Sequence, residues 1–241
     1  MSSLFEPVKA AKDRGVKNGH EKLVGTPKRL LALIYGLTFC AMAIFYFIPM
    51  QIPFYLNEML VAGPAVIGMA IAVATLFGML SSLAYGRVRA RIGYIPILGL
   101  TFSLMGTGFL LVGLGNGYLP VLAGLAISGL GSGLMFPNMN VWLTTEVPVA
   151  VRGRAVGGLT TAIFLGQFMS PIAGQPIVEN FGLSTLFLGS GAVLLGFALL
   201  LALFRRPLLA FIRTVKPPTV VGTPVSTETV QREMPEYGHR D

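Results

Sequence analysis

Ionisable side chains are missing from most of this chain. Of its 241 residues only 12% are Asp, Glu, Lys or Arg. None falls within five long stretches, 30–57, 59–86, 92–145, 155–178 and 180–204. His20 and His239 lie outside these stretches, so neither can act within them. Cys40 is the single cysteine, which excludes an internal disulfide framework. No His, Cys and carboxylate cluster offers metal ligands, and neither a metal nor any other cofactor is expected. Ser132, set among glycines, has the look of a nucleophile, but no base shares its stretch and a serine needs one within hydrogen-bond reach. An enzyme is therefore not expected.

What is present is apolar length. The hydrophobic fraction is 54%, and the runs are continuous rather than alternating, which excludes a β-barrel. A helix crossing a bilayer needs about 20 mostly apolar residues. The pattern predicts an all-α membrane protein with six transmembrane helices, at 30–56, 64–85, 95–113, 118–143, 155–177 and 183–204. Gly113–Gly117 is the turn that divides the longest stretch in two.

The eighteen Lys and Arg residues account for the net charge of +8, and all fall on one side of this pattern. Arg87, Arg89 and Arg91 follow the second helix, and Arg152 and Arg154 follow the fourth. The turns on the other side, 58–63, 113–117 and 179–182, carry none. Basic residues concentrate in cytoplasmic loops, so both termini are expected in the cytoplasm. Topology thus explains the basic charge, and no nucleic-acid partner is expected.

Residues 1–29 are basic, polar and glycine-containing, and read as a cytoplasmic linker-like segment. The six-helix domain spans 30–204. Residues 205–241 read as a cytoplasmic tail, mostly disordered, with a short interfacial helix or a stop-transfer cluster at Arg205–Arg213. Helices in lipid need small residues where they meet. The fourth helix supplies two such faces, Gly124, Ser128 and Ser132 on one and Gly129 and Gly133 on another. Pro137 and Pro171 are expected as hinges, since proline removes a backbone donor. Trp142 reads as an anchor at the membrane interface.

Three local patterns then point to a family. Gly86-Arg-Val-Arg-Ala-Arg91-Ile-Gly93 resembles the G-x-x-x-D-R-x-G signature of the major facilitator superfamily, with Ala90 where the acid would stand. Glu146-Val-Pro148-Val-Ala-Val-Arg152 resembles the loop after the tenth helix of many such transporters. Gly166-Gln-Phe-Met-Ser170-Pro171-Ile-Ala-Gly174-Gln175 is similar to the G-x-x-x-G-P-x-x-G-G motif of the drug and metabolite antiporters, with Ser170 and Gln175 replacing glycines. The chain is similar to the C-terminal half of such a transporter over residues 30–204.

The resemblance implies a three-plus-three inverted repeat in the inner membrane and transport of a small organic molecule, with efflux by antiport as one form. It implies a central cavity lined by the first, second, fourth and fifth helices, with Tyr46, Gln51, Thr75, Asn138, Gln167 and Phe168 as candidates. Gly86, Arg91, Gly93, Glu146, Pro148 and Arg152 become gate or loop-motif candidates. The expected partners are the lipid bilayer, a small-molecule substrate, and an N-terminal six-helix half encoded upstream or a second copy of the chain. A non-transporting remnant or accessory membrane subunit is the alternative function.

Overall fold

The computed structural model describes residues 28–60 and 63–204. The linker-like segment up to residue 27, and the tail from residue 205 with its expected short helix, lie outside the described residues. Among the described residues six helices occur: α1 Lys28–Phe45, α2 Phe47–Leu60, α3 Pro64–Arg91, α4 Tyr94–Leu114, α5 Tyr118–Glu146 and α6 Arg152–Leu203, with a 3₁₀ turn at Val149–Val151 before the last. No strand occurs among the described residues.

Among the described residues five helical segments are long and apolar enough to cross a membrane: Lys28–Met59, α3, α4, α5 and Val149–Leu203. At about 1.5 Å per residue the last of these would be more than twice the ~30 Å thickness of the hydrocarbon layer. It is not continuous. Gly182 has φ 82° and ψ 167°, and two helices meet there. Positive φ is the conformation that favours glycine.

Besides helix ends that shift by a few residues, three features differ from the sequence pattern. The first expected span is interrupted at Tyr46, between α1 and α2. Pro49 has no N–H to give to the Phe45 carbonyl four residues earlier. Helical bonds resume on both sides, Tyr46 N to Met42 O at 3.0 Å and Met50 N to Tyr46 O at 3.3 Å, so the pair makes one kinked span. Second, α3 continues six residues past its expected end, through Arg91. The basic motif is therefore mostly helix, and the connection to α4 shrinks to Ile92 and Gly93. Third, the helix entering Gly182 runs through the residues expected to form a turn.

Packing follows the glycines. A Cβ on Gly133 would collide with the Gly78 carbonyl oxygen, and one on Gly129 with the Ala74 carbonyl, which seats α5 on α3. Gly108 and Gly124 meet in the same manner between α4 and α5. Gly106 meets Gly191, and Gly113 meets Leu188, so α4 also carries the helix after Gly182. Gly158, Gly166 and Gly174 take Tyr35, Phe39 with Met42, and Phe47, which lays the helix before Gly182 along α1 and the start of α2. The core thus centres on α4, whose Phe102, Met105 and Phe109 are fully enclosed. By contrast α3 buries only the stripe Ala70, Ala74, Ser81 and Tyr85 that faces α5.

Trp142 departs from its expected role. It is 2% exposed and stacks on Tyr94, with ring centroids 5.9 Å apart and planes 9° from parallel. An indole enclosed in this way is a packing element rather than an anchor in the headgroup layer.

Gly133→Val should push α3 and α5 apart and lower the stability of the detergent-solubilised protein by about 1–3 kcal/mol, the usual cost of overpacking. An SDS unfolding titration reads the loss. Gly189→Ala, where an added Cβ meets nothing within 4 Å, should cause none.

Candidate functional site

A groove of about 450 Å³ opens between α1–α2, α3 and α5. From α3 it takes Ile71, Ala74, Thr75, Gly78, Met79 and Ser82, one face at helical spacing. Phe45, Ile48 and Pro49 come from the kinked span, and Ser132, Gly133 and Phe136 from α5. Phe45 and Phe136 touch edge to face, 6.2 Å between centroids, and join the two walls. Among the described residues no charged side chain lines the groove.

Its hydroxyls are largely occupied. Thr75 donates to Ile71 O at 3.0 Å and Ser132 to Gly129 O at 3.0 Å. Serine and threonine in helices commonly bond back in this way. Backbone acceptors are also released along this stretch of helix. Pro49 withholds a donor from Phe45, Pro53 from Pro49, and Pro137 from Gly133, since each proline lacks the N–H that would reach four residues back. Phe45, Pro49 and Gly133 all line the groove. Three residues whose carbonyls lack the usual helix donor therefore line the groove.

Of the expected cavity residues, Thr75 lies in this wall. Tyr46 is half-buried at the adjacent helix break, and Gln51 is buried. Gln167 is half-buried on α6, and Phe168 is 66% exposed there, next to the glycine face that packs on α1. Neither lines the groove. Asn138 lies apart from all of these. It is 0% exposed, and its Nδ2 donates to the Tyr94 carbonyl at 3.1 Å, which ties α5 to the start of α4. Phe45, Met79, Ser82 and Phe136 were not singled out in the sequence. The Ile71, Thr75, Met79 and Ser82 spacing was a signal for the α3 face, but apolar side chains facing a groove or facing lipid read alike.

At the end of the bundle where the basic residues gather, Gly86, Arg91 and Gly93 are exposed. Glu146 and Arg152 are half-buried on either side of the 3₁₀ turn that Pro148 caps. Arg152 Nε is buried without a hydrogen-bond partner, so the Glu146 carboxylate does not accept from it. Pro137 and Pro171 sit inside α5 and α6.

Comparison with known proteins assigns this architecture. The family model described as Major Facilitator Superfamily matches residues 33–231. The chain belongs to the major facilitator superfamily. Superfamily relatives include the multidrug resistance protein MdtG of Citrobacter koseri, 29% identical over 183 residues, which cover 74% of this chain and 45% of that protein. MdtG of Yersinia enterocolitica is 29% identical over 171 residues, covering 69% and 41%. Among solved structures, the xylose transporter XylE from E. coli, in an inward open conformation, aligns with a TM-score of 0.58 at 20% identity. That alignment covers 84% of this chain and 54% of XylE. The chain thus spans about half the length of these superfamily members. It is an integral membrane protein of a transporter family.

In a Cys40→Ala background, cysteines at Thr75 and Ser82 should react with a small maleimide, because both positions face the groove. A cysteine at Asn138 should stay unreactive until the protein is denatured. Equal reactivity at all three would contradict the placement.

Proposed function

We propose that this chain forms one six-span half of a secondary transporter that moves small amphipathic organic molecules, neutral or cationic, out of the cell across the inner membrane. The observation that carries the reading is the groove between α1–α2, α3 and α5, apolar, aromatic and lined by no charged described residue, with three residues along it whose carbonyls lack a helix donor. An apolar site with a few placed polar groups is the usual form of a small-molecule site. A phosphate or polycarboxylate would call for Arg or Lys there. The multidrug resistance name of the MdtG relatives agrees with this chemistry.

The six-span count rests on the break at Gly182, which divides Val149–Leu203 into two helices. Helix pairing supports an inverted repeat. With the spans numbered one to six, the first pairs with the fifth and the second with the fourth, contacts that exchange under such a symmetry. The third pairs with the sixth, which maps onto itself. The first also meets the sixth through Tyr55 and Phe187, matching the contact of the fourth with the third.

A second six-span half, or a second copy of this chain, completes the groove. Thr75, Met79 and Phe168 are otherwise left on open faces. Ionisable coupling groups, if proton antiport drives the cycle, belong to that partner, because Asp, Glu, Lys, Arg and His occur in these spans only near their ends. Glu146, Arg152 and Arg91 form a gate at the basic end, which faces the cytoplasm.

Sidedness is checked with a membrane-impermeant maleimide. A cysteine at Asn116 should react from outside intact cells and one at Ala90 only after permeabilisation; the reverse pattern would sink the topology.

Transport is checked with ethidium in proteoliposomes of the complete transporter. Pro137→Ala restores a donor to Gly133 and should raise the ethidium KM about two- to tenfold, the equivalent of one hydrogen bond of about 0.5–1.5 kcal/mol. Pro176→Ala, outside the groove, should leave KM unchanged. In the same assay Arg152→Gln should lower Vmax while membrane insertion persists. Unaltered kinetics in both Pro137→Ala and Arg152→Gln would remove the support for this site and its gate.

A further inference from the structure

The superfamily-like motif at the end of α3 draws attention to Arg91, yet Arg91 is exposed. Two residues earlier, Arg89 is half-buried, and its guanidinium carbon lies 3.8 Å from the centre of the Tyr94 ring. One of its terminal nitrogens reaches the Ile92 carbonyl at 3.5 Å, and its Nε is buried without a partner. Among the described residues, the contacts of this cation are therefore a carbonyl and an aromatic face rather than a carboxylate. Ala90, beside it, stands where the motif would carry an acid.

Tyr94 is held from several directions. Its ring stacks on the buried Trp142, its hydroxyl pairs with Thr145 Oγ1 at 3.0 Å, and its carbonyl accepts from Asn138. Trp142, Thr145 and Asn138 all belong to α5. A guanidinium is planar and weakly hydrated, which suits it to an aromatic face when no anion is available.

We propose that Arg89 is the positioning residue of the basic end. Its cation–π contact with Tyr94 joins the end of α3 and the start of α4 to the end of α5, taking the place of a carboxylate lock. The three helix ends then move as one piece, carrying Arg91 and Glu146 with them in the transport cycle. The positioning role rests on the transport reading; the contact itself does not, and the two are measured separately.

Trp142 is the only tryptophan in the chain, so loss of indole fluorescence on oxidation by N-bromosuccinimide reads how often this cluster opens. In the purified full chain, Arg89→Gln should accelerate that oxidation roughly five- to thirtyfold, the change expected when a partly desolvated cation–π contact is lost. Arg89→Lys, which keeps the charge but not the planar stack, should fall between Arg89→Gln and wild type. It serves alone if the glutamine variant does not fold. Arg87→Gln removes the same charge from an exposed site and should oxidise at the wild-type rate.

A wild-type rate in both Arg89 variants would overturn the contact, as would an equal acceleration in Arg87→Gln. In the complete transporter, the Arg89 variants should lower Vmax for ethidium while KM stays constant, and a wild-type Vmax in a variant whose Trp142 has become reactive would overturn the positioning role. Absence of ethidium transport in the wild type would count against the transport reading and leave the oxidation result standing.

Discussion

Close approach of one helix backbone to another is the contact on which this structure depends. Within a bilayer, apolar side chains are no better off against protein than against lipid tails, so association relies on tight van der Waals fit and hydrogen bonding. Gly133 on Gly78, Gly129 on Ala74, Gly108 on Gly124 and Gly106 on Gly191 each bring a glycine against a neighbouring backbone, with room for hydrogen and nothing larger. These contacts place α4 at the centre, hang the helix after Gly182 upon it, and seat α3 along α5. The groove exists because α3 is held at α5 by that single stripe while its other faces stay free.

Polar groups are handled with the same economy. Most hydroxyls bond back one turn on their own helix, as Thr38, Thr75, Thr160 and Thr161 do. A few hydroxyls reach across instead, Tyr35 to Ala155 O, Tyr55 to Val112 O and Ser81 to Leu130 O, and the Asn138 amide donates to Tyr94 O. All but the Tyr55 bond lie between helices that the glycines also pair, so they add orientation where shape already provides proximity. An unsatisfied polar group in hydrocarbon costs several kcal/mol, which leaves little polarity to spare for binding. Proline supplies it indirectly, by releasing backbone acceptors without adding a side chain to be satisfied.

Much of this could be read from residue order alone. Uncharged runs located the spans, because charge at membrane depth is costly, and glycine spacing found the two packing faces of α5. Other features were hidden for identifiable reasons. The arginines after Gly86 looked like a loop, whereas a helix end can present them to water equally well, and α3 runs on to Arg91. Trp142 and Asn138 looked like an anchor and a cavity residue because their partner, Tyr94, is more than forty positions away in sequence. The apolar half of the groove has no sequence signature, since Met79 or Phe136 would look the same facing lipid. The break at Gly182 falls at the edge of the expected turn at 179–182, whereas the one at Tyr46, beside the donor that Pro49 lacks, was not foreseen within the expected span 30–56.

Gly182 has a mechanical consequence. The helix that precedes it is roughly 45 Å long at about 1.5 Å per residue, and it joins the next helix with no intervening loop. Such a joint cannot stretch or slide, so turning is the one movement left to it. A rotation of about ten degrees there would carry the far end of a helix of that length by about 8 Å. That far end bears Arg152. A single residue at one surface of the protein thereby acts as the fulcrum of a lever whose stroke is delivered at the other.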